Sequence, residues 1–245
     1  MKYVLFYAIL LCATAPAMAQ TRFNLSAGLL GNHLIVSEVP SYIKVNDYLL
    51  YTEGVHIEGK QTPGFMVGVE IQRQIRKWNI YMGAHFAYQQ ARVTYYNDNL
   101  FFYDTQPPFE EHRFAIDIKQ NFNMLQIPLG IMIPAYRKFY VDLAFRTNAV
   151  LSVKKTEKAN DAGFAYQLVS LQRRDVNQFL FEASAGLAYQ TSGYTAKVVY
   201  SRGLNPLQEK SRNCYNNLIP ADLYFSGINL SMGVNMNRLF PFNRK

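Results

Sequence analysis

From residue 20 onward the chain alternates apolar and polar positions with a period of two. Two neighbouring stretches show it most clearly. Phe65, Val67, Val69 and Ile71 alternate with Gly68, Glu70 and Gln72, and Ile80, Met82, Phe86 and Tyr88 alternate with Gly83, His85 and Gln89. A period of two sends successive side chains to opposite faces of a sheet. One face here is greasy and aromatic; the other is small, polar or charged. The pattern predicts eight strands, over residues 22–36, 64–75, 78–95, 113–133, 138–153, 178–189, 194–204 and 223–236. Each is long enough for the roughly 9–11 residues that a membrane-crossing strand needs. Between them, tight turns at 76–77, 135–137 and 190–193 alternate with long polar loops at 37–63, 96–112, 154–177 and 205–222. Three short and four long connections fit an eight-stranded antiparallel up-and-down transmembrane β-barrel, apolar outside and polar inside. A soluble lipocalin-like barrel would reverse that polarity.

The fourth segment changes phase. Phe114, Ile116 and Ile118 share one parity, whereas Leu125, Ile127, Leu129, Ile131 and Ile133 share the other. A β-bulge near Asn123 or Met124 would return both halves to the lipid face. Alternatively, the first half projects beyond the membrane, where the alternation is free to drift. Pro128 argues for a bulge or a weakly paired position, because proline donates nothing to the ladder.

The N-terminus changes the picture from sheet to exported sheet. Lys2, an apolar run over 3–13 and Ala17-Met18-Ala19 form a basic start, a hydrophobic core and a cleavage site. Cleavage after Ala19 would leave residues 20–245 as a single barrel domain. The apolar core is too short for comfortable spanning, and no later run reaches about 18 apolar residues. Cys12 leaves with the signal, so Cys214 is the lone remaining cysteine and no intramolecular disulfide can form. An exported chain with neither staples nor a membrane helix can still enter a membrane by closing a barrel.

The net charge of +8 falls to +7 when Lys2 is removed. The basic residues are scattered along the chain, which speaks against nucleic acid and for outer-membrane lipid phosphates and lipopolysaccharide as partners. The 18 Tyr and 17 Phe suit a membrane interface, where a tyrosine keeps its ring in apolar surroundings and its hydroxyl wet.

Residues 124–131 (MLQIPLGI) resemble the "Y-L-x-I-P-L-x-x" strand of the PorT-like small outer-membrane β-barrels of Bacteroidota. Residues 63–68 (PGFMVG) and 200–205 (YSRGLN) are similar to that family's "x-G-F-x-x-G" and "Y-x-x-G-L-x-N" strands. The resemblance covers most of the mature chain and implies the barrel fold. Some members serve type IX secretion and gliding; the motifs are strand patterns and imply no catalytic residue.

The barrel phase turns Glu70, His85, Gln89, Asp142, Arg146, Asn148, Glu182 and Lys197 inward. An eight-stranded lumen is only wide enough to be filled by its own side chains. The expectation is a sealed ionic plug, with Glu70, Asp142 and Glu182 compensated by Arg146 and Lys197; the alternative is a narrow pore for small solutes or ions. Catalytic readings rest on little more than His112 beside Glu110 and Glu111, and neither metal-ligand spacing nor a phosphate loop occurs. No cofactor is expected. A binding function would sit in the long loops. Tyr48, Leu49 and Tyr51 in the first, and Phe101, Phe102 and Tyr103 in the second, form apolar-aromatic clusters of the kind that mark a partner surface. The reading is a non-enzymatic protein of the cell outer membrane, structural or engaged in assembly of an envelope or secretion complex.

Overall fold

The computed structural model describes residues 21–36, 42–45, 48–51, 55–103, 111–159, 176–207, 211–212, 218–219 and 223–239. Residues 1–19, expected to be an export signal, lie outside the described residues. In chain order the elements are β1 (Thr21–Val36), β2 (Tyr42–Val45), β3 (Tyr48–Tyr51), β4 (Val55–Lys60), β5 (Thr62–Ile75), β6 (Trp78–Tyr103) and β7 (Glu111–Tyr136). Then follow β8 (Phe139–Ala159), β9 (Phe179–Gln190), β10 (Tyr194–Gly203), β11 (Ser211–Arg212), β12 (Leu218–Ile219), β13 (Leu223–Asn235) and a final helical turn, α1 (Met236–Leu239).

Eight of these strands close a ring in the order β6-β5-β1-β13-β10-β9-β8-β7, and β7 pairs back to β6. Every pairing is antiparallel. Closure removes the sheet edges and satisfies the backbone, which is what lets strands stand in hydrocarbon. The wall matches the eight segments expected from the alternation. β4 extends the β5 side, meeting β6 at Lys60↔Arg92, one residue out of step with Phe65↔Tyr88. The short hairpins β2–β3 and β11–β12 lie within the long connections.

The outward residues of the turn-end half are apolar. They include Phe23, Leu25 and Leu29 on β1, Val67, Val69 and Ile71 on β5, Val141, Leu143 and Phe145 on β8, and Ile228, Leu230 and Met232 on β13, all exposed. From Phe179 to Tyr189 the belt runs ~33 Å along β9 at ~3.3 Å per residue, or ~25 Å along the barrel axis at the usual tilt. That is the height of the apolar band of a membrane barrel.

The long-loop end departs from the expectation. β6 and β7 are each 26 residues and β8 is 21, so much of the two loops expected at 96–112 and 154–177 is strand. In this projecting part the polarity inverts. Arg92, Asp117, Lys119, Ser152, Lys154 and Thr156 point outward, whereas Val93, Ile118, Phe122 and Met124 point in. A register shift does fall at Asn123/Met124, but the extra residue is Leu151 on β8. β7 keeps one parity throughout, so Ile118 is packed inside and not returned to the lipid face. The drift of the alternation therefore reports a change of solvent, from lipid to water. Opposite Pro128 the β6–β7 register runs to Met82↔Leu129 and resumes at His85↔Gln126, as expected where a proline cannot donate.

Inside the projection, Leu34, Ala91, Val93, Ile118, Phe122, Met124, Val176, Leu180, Leu207, Leu223 and Phe225 form one apolar core. On its outside Arg92 Nε donates to both Asp117 carboxylate oxygens, at 3.0 and 2.8 Å. These hydrogen bonds hold the Asp117 carboxyl below its ordinary range. A carboxylate lowered in this way stabilises the fold above its unfolded pKa, and that contribution is lost as pH falls through the lowered value.

The inversion sets a measurable boundary. Val67→Arg, at the centre of the belt, is expected to cost about 2–4 kcal/mol. Thr156→Arg, outward in the projection, is expected to stay within about 0.5 kcal/mol. Reversible denaturant unfolding from lipid, followed by gel mobility, checks both; equal costs would mean that the belt continues to the long-loop end.

Candidate functional site

In the lumen of the described barrel, buried charged and polar side chains converge. Because every strand alternates, each inward position of the belt is one that the lipid did not claim. Its contents fall into layers along the axis.

At the turn end lies a layer of amides. Gln72 Oε1 accepts from Asn24 Nδ2 at 3.3 Å and from Gln190 Nε2 at 2.8 Å, and Gln190 Oε1 accepts from Asn79 Nδ2 at 3.0 Å. Gln190 Nε2 also lies 3.3 Å from Thr195 Oγ1. These contacts join β1, β5, β6, β9 and β10 across the lumen.

Above it sits an ionic layer centred on Lys197. Lys197 Nζ donates to Glu70 Oε2 at 3.1 Å and lies 3.9 Å from Asp142 Oδ2. It also stands 3.5 Å from the centroid of the Tyr81 ring, a cation–π contact. The Tyr81 hydroxyl donates to Asp142 Oδ1 at 2.7 Å. His85 Nε2 is 3.5 Å from Glu70 Oε1 and 2.9 Å from Ser26 Oγ. All of these side chains are buried. Two glycines make room: a Cβ at Gly130 would strike the Tyr81 ring, and one at Gly68 would strike His85.

The third layer holds Arg146 and Glu182, cross-strand partners on β8 and β9. Asn148 Nδ2 donates to Glu182 Oε1 at 2.8 Å. Both polar atoms of the Gln126 amide, Arg146 Nη1, Asn148 Oδ1 and His85 Nδ1 are buried without a hydrogen-bond partner. Gln126 is in register with His85 on one side and Asn148 on the other, so these atoms share three adjacent strands.

Over this the apolar core packs across the lumen. Phe122 on β7 and Phe225 on β13 meet edge to face, ring centroids 5.6 Å apart and planes at 87°. β7 and β13 stand on opposite sides of the ring, so the pair spans the barrel's diameter. Phe122 is wholly buried.

The five charged residues expected inside are all buried in the lumen. Lys197 joins Glu70 and Asp142, while Glu182 is held by Asn148 opposite Arg146. Tyr81 was not among the expected members. Its parity with His85 and Gln89 was the available signal; its aromatic ring pointed to the lipid interface instead. The aromatic clusters expected on open loops differ in backbone. Tyr48, Leu49 and Tyr51 lie on β3, and Phe101, Phe102 and Tyr103 end β6, where Phe101 pairs with Arg113 and Tyr103 with Glu111. Barrel-wall pairing carries the β6 segment on as strand, whereas the β3 segment pairs with β2 in a separate hairpin. Their side chains lie outside the described residues. Of the candidate catalytic group, Glu111 and His112 open β7, and their side chains are likewise outside that set. A groove of about 560 Å³ lined by Leu29, Gly31, Pro63, Gly64, Ile228 and Leu230 marks the outer wall within the belt.

No family model and no curated protein matches the sequence. Solved structures similar in arrangement include the Neisserial surface protein A, at 10% identity over 89% of this chain and 98% of that one, TM-score 0.38. The outer membrane protein OprG from Pseudomonas aeruginosa matches at 11% identity over 87% and 94%, TM-score 0.41. The outer membrane protease OmpT from Escherichia coli matches at 12% identity over 87% and 95%, TM-score 0.32. At this distance they assign no residue a role, and the barrel stands on its own strand pairing.

Lys197→Met is expected to destabilise the barrel by about 3–5 kcal/mol, because Glu70 and Asp142 are left as uncompensated buried charges. Adding Glu70→Gln should recover part of that loss. Denaturant midpoints of the two single variants and the double variant close the cycle; strictly additive losses would show that the ion pair is not coupled.

Proposed function

We propose that this protein is a non-enzymatic outer-membrane β-barrel that serves as a structural or interaction subunit of a cell-envelope or secretion assembly, with its projecting end as the binding surface. The observation that carries this reading is the Phe122–Phe225 contact across the lumen. A barrel closed by packed aromatics is a poor conduit, and the same packing makes the projection a stiff platform. That platform bears the end of β6, with Phe101, Phe102 and Tyr103, while Tyr48, Leu49 and Tyr51 lie in the long connection that leads from β1 to β4. The export signal over 1–19 and the lipid-facing belt support the outer membrane as its location. Outer-membrane lipid and lipopolysaccharide are its surroundings in this reading, and the PorT-like strand motifs point the same way.

A second reading, a narrow small-solute or ion pore, draws on the unpartnered polar atoms of Gln126, Arg146 and Asn148 in the middle layer. Conductance separates the two. The expected result in planar bilayers is no unitary current; a resolved single-channel step would favour the pore. For the interaction role, the tagged protein purified from native membranes in mild detergent should retain a stoichiometric envelope protein. That partner should be lost in the Phe101→Ala/Phe102→Ala or Tyr48→Ala/Tyr51→Ala variants. A clean monomer would remove the assembly reading.

A further inference from the structure

The basic residues are dispersed in sequence, but the topology gathers seven of them at one rim. Arg76 and Lys77 form the β5–β6 turn, and Arg137 and Lys138 the β7–β8 turn, all exposed. Arg22 at the start of β1, Arg73 near the end of β5 and Arg238 on α1 stand at the same end. Arg22 Nη1 donates to the Thr191 carbonyl at 2.9 Å, which ties it to the third tight turn. No Asp or Glu occurs anywhere in residues 1–37, 71–97, 118–141, 183–208 or 223–245. The acids nearest this rim, Glu70 and Asp142, are buried in the lumen with Lys197. The exposed cations of the two tight turns, Arg76, Lys77, Arg137 and Lys138, therefore meet no acid within the segments that build the rim.

Two further observations say what this collar of cations faces. It borders the lipid belt directly, through an aromatic girdle. Trp78 is 52% exposed and Tyr136 63%, Phe139 and Tyr189 pack at 5.1 Å, and Tyr189 and Tyr194 at 6.1 Å. Such rings sit at headgroup level, and Arg137 lies over the Tyr136 ring at 5.2 Å. In addition, Arg76 and Arg137 adopt φ of 56° and 50°. Asparagine or glycine takes that left-handed conformation at lower steric cost. An arginine at the same position of both two-residue turns places a long cation beside the girdle in spite of the backbone.

The geometry points to a docking collar for anionic phospholipid headgroups in the leaflet at the tight-turn end. The ligand chemistry is the phosphodiester of an acidic phospholipid, held by guanidinium and ammonium groups that reach past the aromatic ring. Clustered cations at a membrane surface attract such lipids with a strength that falls as salt rises.

The chain carries a single tryptophan, Trp78, next to Lys77, which makes the test direct. The full protein is folded into phosphatidylcholine vesicles that carry an equal fraction of either brominated phosphatidylglycerol or brominated phosphatidylcholine. Trp78 quenching is then read. The expected result is quenching at least about twofold stronger by the brominated acidic lipid, in line with the surface attraction of several cations, and reduced by high salt. The variant Arg76→Asn/Lys77→Ser/Arg137→Asn/Lys138→Ser keeps turn-compatible residues, and its folding is checked by gel mobility. It should quench equally with the two lipids. Equal quenching in the unaltered protein would overturn the collar and direct attention to a soluble polyanion; so would an acidic-lipid excess that survives in the variant.

Discussion

Ring closure with only eight strands is the constraint on which the rest depends. It leaves a lumen that side chains must fill, and a period of two gives half of all wall positions to that lumen. Where lipid lies outside, it takes the apolar half, so the interior receives Asn24, Glu70, Gln72, Asp142, Arg146, Glu182 and Lys197. These groups can be buried only if they compensate one another. Lys197 does most of that, reaching Glu70 on β5 and Asp142 on β8 from its own place on β10. Where water lies outside, the same rule runs backwards. Polar residues face out, and Ile118, Phe122, Met124 and Phe225 collect inside. One wall thus contains two cores of opposite character, stacked end to end.

Much of this was legible in the chain. All eight wall strands follow from the alternation, with most ends within a few residues, because the belt imposes a strict parity on each of them. The inward charges were legible for the same reason. What the sequence left open was the height of β6, β7 and β8, since neither 97–103, polar and then aromatic, nor the polar 154–159 carries the belt's alternation. Their strand character comes from partners across the sheet. The phase change in β7 was visible, but its cause was not: Asn121 and Asn123 suit either a bulge or a waterline. Tyr81 was missed because an aromatic residue in a membrane barrel is ordinarily counted to the interface. Its place over Gly130 depends on a neighbouring strand. The cation collar was invisible in one dimension, because the turns at 76–77 and 137–138 come to one rim only once the ring is closed.

The layers also differ in how tightly they are held. The amide and ionic layers are cross-linked through several strands at once, so each hydrogen bond there constrains the ring. The Gln126, Arg146 and Asn148 layer has polar atoms left unpaired with protein groups, and it lies between the ionic hub and the Phe122–Phe225 contact. Within it the hydrogen bond from Asn148 to Glu182 is a direct contact that joins β8 to β9.

The inversion of polarity has a mechanical consequence. The belt ends abruptly at both rims, at Arg76, Lys77, Arg137 and Lys138 on one side and at Gln90, Asn121 and Asn123 on the other. A vertical slide of one residue pair would draw Arg92 and Asp117 toward hydrocarbon, or lift Phe86 and Leu125 into water. Nor can the wall shorten, because its strands are locked in register around a closed ring. In a bilayer of different thickness the protein keeps its shape and the lipid must stretch or thin to meet it. The chain thereby sets its own depth, and the bilayer around it bears the mismatch.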